Sequence, residues 1–502
     1  MYLIALQKLK KLSEVQEQYM MKEFDFTQID EWLDSHRDDI IRDIRRIVRI
    51  PSVSTPGEGG YPFGTGCKNA LDEMLLMGKE NGFHVENYEY YVGSIGLEKK
   101  DMKNTIGFWN HLDIVPIGNN WKYDPFEATY AKPFLIGRGV DDNKGPAVAM
   151  LYLMKCMRDL NVPLKHELCL FLGCDEEKGM RDLQYYTSKY ETPAISIVAD
   201  CGFPVCYGEK GILEGEMISE ALSEHFVQFK GGIASNMIPD FVSATLIGDE
   251  SFIKAVAAEL QAMNEADVDV KEEDGNLTVA YRGISKHSAS PYGSKNSIYG
   301  LSKVLSQVSV LPESDKKILS TIAALSERYL GEVTGIEYKD EVSGDTTCAA
   351  TLVDLKDGKL YVTLNIRYAI TADNDKDMAA LSAYAEANGL TWNMKSNSKP
   401  NYFPKENPVV ELLTDVYNKA MGEEKESYVM GGGTYARKLP NAFAYGLGGI
   451  KESEEDAMLR SQFILPGHGG AHEPDEVMNM NSFMQGLKIF ARAMVALNEV
   501  EF

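Results

Sequence analysis

The sequence predicts an α/β domain interrupted by a long α+β insert. Three observations carry this reading. Up to about residue 209, apolar strand patterns alternate with amphipathic helical ones, as in a sheet with helices packed against it. From about Leu213 to Pro400 the strands are shorter and follow one another more closely. Beyond about residue 403 long helical patterns resume and return the chain to the first domain. This texture divides the chain into an N-terminal extension (1–21), a first part of the α/β domain (22–209), the insert (210–402) and a second part (403–502). There is no clear repeat and no low-complexity segment.

In chain order, "IDEWLDSHRDDIIRDIRRIVRI" keeps apolar residues at helical spacing from Ile29 to Ile50 and stops at Pro51, which predicts one helix. "NTIGFWN" reads as a strand running into His111. "GPAVAMLYLMKCMRDL" opens on Gly-Pro and keeps a broad apolar face, so it reads as a helix. Glu167 to Leu172 is an apolar run without alternation, the mark of a strand buried on both faces, and "AISIVA" is another, ending at Asp200. In the insert, "ATLIG", "LTVAYRG" and "LYVTLNIRYAI" read as strands, with "SFIKAVAAELQAM" and "DMAALSAYAEANG" as helices. "PKENPVVELLTDVYNKAMG" and "NSFMQGLKIFARAMVALNEV" are the closing helices.

With 502 residues, 44% of them hydrophobic, the chain can bury a large core in more than one domain. A formal net charge of -24 argues against nucleic acid or an anionic membrane surface as partner. No apolar run approaches the roughly 20 residues that span a bilayer. The start "MYLIALQKLKKL" places its basic residues after a short apolar piece, the wrong order for a signal peptide. It reads as an amphipathic helical extension, with the natural start expected at Met20 or Met21. Seven cysteines without C-x-x-C spacing fit neither a disulfide framework nor a structural zinc site, and imply a reduced, cytoplasmic protein.

The chemistry gathers at strand ends. Right after the strand at Glu167 come Asp175, Glu176 and Glu177, three carboxylates that repel one another and lose solvation beside a core. A cation or plain solvent can make that tolerable. His36, His84, His166 and His225 sit among polar or helical neighbours and read as ordinary histidines. His111 ends a strand, and Asp113 two residues on can fix the tautomer of its ring. Asp141 and Asp142 precede a helix, where carboxylates are favoured even without a metal. In a parallel sheet, however, strand C-termini converge along one edge, which brings Asp142, Glu176, Glu177 and Asp200 toward His111. "GGAHEPDE" adds His472. Two histidines and several carboxylates suit borderline divalent ions, zinc foremost, and point to a metallohydrolase.

"NHLDIVP", "GRGVDDNKGP", "DEEKG", "VADCGFP" and "HEPDE", in that order, resemble the di-zinc metallopeptidases that include aminoacylase, glutamate carboxypeptidase and the dipeptidases. The resemblance runs from about Ile29 to the C-terminus and is nearest to the peptidase V group of bacterial dipeptidases. It implies a two-domain zinc-peptidase architecture, with an α/β catalytic domain and a lid domain of two ferredoxin-like halves. It also implies two Zn(2+) per chain, replaceable by Mn or Co. His111 and Asp200 would hold one ion, Glu177 and His472 the other, and Asp142 would bridge them across a cis peptide bond to Asn143. Glu176 would be the general base, and Asp113 the partner of His111. In the lid, His287 of "GISKHSASP" would stabilise the oxyanion, while Asn236 and Arg367 would hold the substrate carboxylate. The backbone of Gly432, Gly433 and Thr434 in "GGGTYAR" would approach an anion. That stretch lacks GK[ST], which excludes a nucleotide loop.

The resemblance implies a monomeric dipeptidase acting on short unblocked peptides. An N-acyl amino acid deacylase would share every ligand, and a non-catalytic, metal-stabilised binding protein would have no use for Glu176. Asn143 departs from the family, whose members carry Asp or Met there, and so does Cys201-Gly202 after Asp200.

Overall fold

The computed structural model describes residues 25–96, 101–498 and 500–502. The extension 1–21 and the expected start at Met20 or Met21 lie outside the described residues. Contacts divide the chain into two compact units. One holds residues up to Tyr207, Phe403–Tyr428 and Thr434–Phe502; the other holds Gly208–Tyr402 and Val429–Gly433.

The first unit begins with α1 (Thr27–Ser35) and α2 (Arg37–Val48). The single helix expected over Ile29–Ile50 is thus broken at His36. The ring Nδ1 of His36 lies 2.7 Å from the Trp32 carbonyl oxygen, where it competes for the acceptor that a continuing helix would use. α2 buries Ile40, Ile41, Ile44, Ile47 and Val48, one stripe at helical spacing. Each such side chain contributes about 1.5–3 kcal/mol on full burial. After α3 (Gly64–Glu80), the main sheet is laid down by β1 (His84–Tyr88), β2 (Val92–Gly96), β3 (Thr105–His111), β4 (Glu167–Gly173), β5 (Ile195–Val198) and β6 (Ala442–Ala444). These six strands run in the order β1-β2-β4-β3-β5-β6 within a nine-stranded sheet, with β4, β3, β5 and β6 parallel. His111 stands opposite Gly173 and Trp109 opposite Val198, so the strand ends that carry the candidate residues are level.

α4 (Lys144–Asp159) is buried on nearly every side, packed against β3, β4, α1, α2 and the last helix, Met480–Leu497. Its apolar composition (Ala147 to Met154) is therefore a consequence of position, not of a membrane. No helix among the described residues is long and apolar enough to cross one. A side chain at Gly145 would place its Cβ 2.0 Å from the Val140 carbonyl oxygen, so only glycine permits the tight entry into α4. A small antiparallel sheet joins Thr129–Ala131, Phe134–Ile136 and Val477–Asn479. It ties the segment before Asp142 to the segment after His472, more than three hundred residues apart in sequence.

The second unit is one eight-stranded antiparallel sheet. Val268–Glu273, Asn276–Arg282, Phe241–Leu246 and Phe226–Gly231 form one half; Thr347–Lys356, Lys359–Tyr368, Gly211–Ala221 and Leu390–Ser398 form the other. The halves join where Lys230 and Gly231 pair with Asp354 and Val353. Buried and half-buried residues alternate along Gly211–Met217, as a sheet with one covered face requires. Leu213, Met217, Phe229, Val242, Leu364 and Ile366 belong to its core. Two helices of this unit, Ser297–Ser306 and Glu313–Glu327, are additional to those read from the sequence.

Candidate metal centre

The first unit brings five of the candidate ligands together at the level strand ends. His111 closes β3, Glu177 follows β4, Asp200 follows β5, Asp142 precedes α4, and His472 comes from the loop before Val477–Asn479. Asp142 lies between the two imidazoles. Its Oδ1 is 3.0 Å from His111 Nε2 and its Oδ2 is 3.0 Å from His472 Nε2. Asp200 Oδ2 lies 3.7 Å from the same His111 nitrogen, and Glu177 Oε1 lies 3.0 Å from the same His472 nitrogen. Two triads therefore share one carboxylate: His111, Asp200, Asp142 and His472, Glu177, Asp142. Ligands about 2.0–2.1 Å from a tetrahedral zinc stand about 3.3 Å from one another. The observed spacings bracket that value. The peptide bond between Asp142 and Asn143 is cis.

Electrostatics in the metal-free arrangement show the same crowding. Burial lowers the basicity of the His111 ring, but the Asp113 and Asp142 contacts outweigh it and hold the imidazole well above its usual value. Hydrogen bonds to the carboxylates of Asp142 and Glu177 raise His472 to about 10. Burial, then the neighbouring Asp142, pushes Asp200 up to about 7. Asp142 moves the other way: the two imidazoles overcome its burial and hold it below the carboxylate range. Glu176 is raised well above its usual value, first by burial, with Asp200, Glu177 and Asp113 adding to it against His111. Its Oε1 is buried with no hydrogen-bond partner. A nitrogen-and-carboxylate donor set, three clustered acids and an orphaned carboxyl oxygen beside them fit a pair of divalent cations.

The triplet Asp175-Glu176-Glu177 divides its labour. Asp175 turns away, paired with Arg181 at 2.6 Å through two nitrogens and accepting from Ser54 Oγ at 2.6 Å. Asp113 accepts the backbone N–H groups of Glu176 and Glu177, each at 3.1 Å, and its carbonyl oxygen lies 3.0 Å from His111 Nδ1. One aspartate thus orients both the histidine and the pair of glutamates. Asp182 takes the backbone N–H groups of Cys174 and Asp175 and the hydroxyl of Tyr435.

Three further residues were not foreseen as parts of this arrangement. Asn143 donates to Asp200 Oδ1 at 2.7 Å and to the Ala199 carbonyl at 2.8 Å, while its oxygen accepts from Asn110. Glu476 is fully buried; Oε1 accepts the N–H groups of Asp141 and Asp142, and Oε2 those of Gly139 and Arg138 Nη1. Asp475 accepts from the backbone of Lys122 and Tyr123 and lies 2.6 Å from His468 Nδ1. The acids of "HEPDE" were the available signal for Glu476 and Asp475.

The remaining candidates stand as follows. In the second unit, Asn236, His287 and Arg367 lie along one hydrogen-bonded chain. Ser288 N donates to the Asn236 carbonyl, Ser288 Oγ and Arg367 Nε both donate to Asn365 Oδ1, and Arg367 Nη1 donates to the Gly431 carbonyl, next to Gly432 and Gly433. His287 Nδ1 accepts from Ala289 N at 3.2 Å. Thr434, in the first unit, caps the turn Tyr435–Lys438 by accepting from Ala436 N. His36, His166 and His225 are engaged by Trp32, by Asn104 and Val500, and by Ile247. Six of the seven cysteines are buried thiols, and Cys201 is half-buried.

Residues 107–496 match the family described as Peptidase family M20/M25/M40. YtjP of Bacillus subtilis (strain 168), which carries the provisional name of dipeptidase, is 28% identical over 477 residues, covering 92% of this chain and 97% of its own. A protein of Staphylococcus saprophyticus with the same provisional name is 28% identical over 447 residues, covering 86% and 93%. Among solved structures, the dipeptidase Dug1p of Saccharomyces cerevisiae superposes with a TM-score of 0.56 at 13% identity, covering 95% of this chain and 99% of that one. Human carnosine dipeptidase 1 does so at 0.54 and 13%, covering 95% and 100%. At these identities the superpositions show the shared fold.

Proposed function

From the premise that this chain belongs to peptidase family M20/M25/M40, and so hydrolyses peptide bonds, we propose that it is a zinc-dependent dipeptidase of the cytoplasm acting on short unblocked peptides. The observation that carries this reading is Asp142, each of whose oxygens lies 3.0 Å from a different imidazole. His111, Asp200 and Asp142 would hold one ion, and His472, Glu177 and Asp142 the other. Bound there, two divalent ions would supply Lewis acidity, making water nucleophilic near neutral pH and offsetting the charge that develops on the substrate carbonyl.

The chain's own residues supply the rest. Glu176 has a carboxyl oxygen free of hydrogen bonds and a raised proton affinity. It can therefore take a proton from the attacking water and deliver it to the leaving amine. A glutamate already committed to a ligand bond could not make that transfer, and Glu177 fills the ligand position beside it. Asp113, by gripping the backbone of both glutamates, keeps base and ligand from exchanging places. Asn143 holds Asp200 by its other oxygen, leaving Oδ2 directed at His111. From the family resemblance, His287 would donate to the oxyanion, Asn236 and Arg367 would bind the substrate carboxylate, and the backbone at Gly432, Gly433 and Thr434 would line its approach.

The test is a panel of dipeptides set beside a panel of N-acetyl amino acids, both incubated with zinc-loaded protein and read for free amine. Release from unblocked dipeptides is the expected result. Release from the acetylated series alone makes the protein a deacylase, and release from neither removes the reading.

A further inference from the structure

We infer that His468 is a positioning residue for the ion assigned to His472 and Glu177: through Asp475 it fixes the neck of the loop that presents His472. The inference rests on the two-ion reading of the centre and not on the choice of substrate.

The two histidines of the centre are held differently. His111 ends a strand and is 1% exposed, and the Asp113 carbonyl oxygen stands 3.0 Å from its Nδ1, so a direct partner aims its ring. His472 meets Asp142 and Glu177 through Nε2, but its Nδ1 has no partner among the described residues, and its side chain is 46% exposed. Neither packing nor a bond on the far side of the ring aims it, so its aim has to come from the backbone that carries it. That backbone is strained. His472 has a φ of 66°, in the left-handed region, which its surroundings must impose.

Those surroundings are a short closed loop. Gly469 N donates to the Pro474 carbonyl at 2.9 Å and Val477 N to the Gly469 carbonyl at 3.1 Å, which closes the neck. Ile464 and Val477 stand so close that a Cβ at Gly469 would lie 3.0 and 3.1 Å from their methyl groups. Inside the loop, Glu473 N donates to the Gly470 carbonyl at 3.1 Å, and Glu473 Oε2 accepts from Gly470 N at 2.9 Å. Gly470, Ala471 and Glu473 are exposed, so no apolar packing adds to these bonds.

One side chain ties the neck to the body of the unit. His468 Nδ1 lies 2.6 Å from Oδ2 of Asp475, which is fully buried and whose Oδ1 accepts the N–H groups of Lys122 and Tyr123, each at 2.9 Å. The carboxylate can only accept, so Nδ1 carries the hydrogen. From Leu465 to Pro474, His472 aside, no other side chain makes a polar contact outside that segment among the described residues. His468 lies before the apex and Asp475 after it, so their contact pins both arms of the loop to the Lys122–Tyr123 backbone. Without it the apex hangs on the backbone bonds of the neck, and the His472 ring loses its line to Asp142 and Glu177. His111, on its own strand, is untouched. The effect therefore falls on one ion of the two.

The experiment titrates zinc into the metal-free wild type, His468→Ala and His468→Asn in competition with a chromophoric chelator, resolving two successive affinities. Asparagine carries an amide N–H where histidine has Nδ1, so it can keep the bond to Asp475. Removing a group that orients a metal ligand typically lowers metal affinity 10- to 100-fold, and His468 acts at one remove. His468→Ala should therefore weaken one zinc constant about 10-fold and leave the other, and His468→Asn should restore it. In a His472→Ala background, which lacks the ligand the loop presents, adding His468→Ala should change nothing further. A merely structural role predicts instead a loss spread over both constants that survives without His472. Unchanged constants, an equal loss in both, no rescue by asparagine, or a further loss in the His472→Ala background overturns the inference. A wild type that binds fewer than two zinc ions overturns the two-ion reading and this inference with it. Two bound ions with the expected constants and no dipeptide cleaved remove the dipeptidase reading alone and support the role of His468.

Discussion

The segment carrying Asp142 is held by a buried pair whose two halves should be unequal. Glu476 uses both oxygens: two backbone N–H groups on one, a third and Arg138 on the other. Arg138 is itself 1% exposed, with Nε and Nη2 buried and unpartnered, so Glu476 is its one charged partner among the described residues. Removing Glu476 leaves a guanidinium that cannot shed its proton, plus three orphaned N–H groups. Glu476→Ala should cost about 3–5 kcal/mol for the uncompensated charge, with the orphaned donors adding to it. Removing Arg138 leaves a carboxylate that keeps three of four donors. Burial already raises its proton affinity, so it can also neutralise itself. Arg138→Met should therefore cost less, about 1–3 kcal/mol. Urea unfolding of the metal-free proteins measures both. Metal titration adds a second readout: Glu476 holds the N–H groups of Asp141 and Asp142, so Glu476→Ala should also weaken metal affinity about 10- to 100-fold. Equal costs for the two variants, or an Arg138→Met protein the less stable of the pair, would refute this account.

The other expectations concern the centre itself. Glu176→Gln should keep both metals by elemental analysis and lose turnover by about 10²- to 10⁴-fold, since it preserves shape and removes the base; normal turnover sinks the assignment. His472→Ala and Asp142→Ala should lose metal, and full metal content in either removes that residue from the ligand set. Loading metal at pH 7.5 in weak buffer should release protons, because metal-free His472 is held at about 10 and is charged at that pH. The sign follows from the raised value. In the metal-free protein the His472 contacts with Asp142 and Glu177 contribute fully below about 6.5, the unfolded value. They fade as pH rises through about 10, and proton release on loading should shrink over the same range. An indicator dye that records no release at pH 7.5 contradicts the arrangement.

What could be read from the sequence was whatever depended on one strand and the turn after it. His111, Glu177 and Asp200 are legible because apolar runs end at each, and parallel strands bring such ends level without further information. Asp142 and His472 are harder, since neither follows a long strand. Their meeting depends on Val477–Asn479 pairing with Phe134–Ile136, two three-residue strands too short for periodicity to show. The supports of the centre were illegible for the same reason. Glu476 looks like a surface acid in "HEPDE" until the Gly139–Asp142 segment closes over it, and Asn143 looks like a conservative change until Asp200 lies 2.7 Å away. A ligand shows in sequence when its place in the sheet is local. The groups that aim a ligand show only once the distant segments they bind have been folded against them.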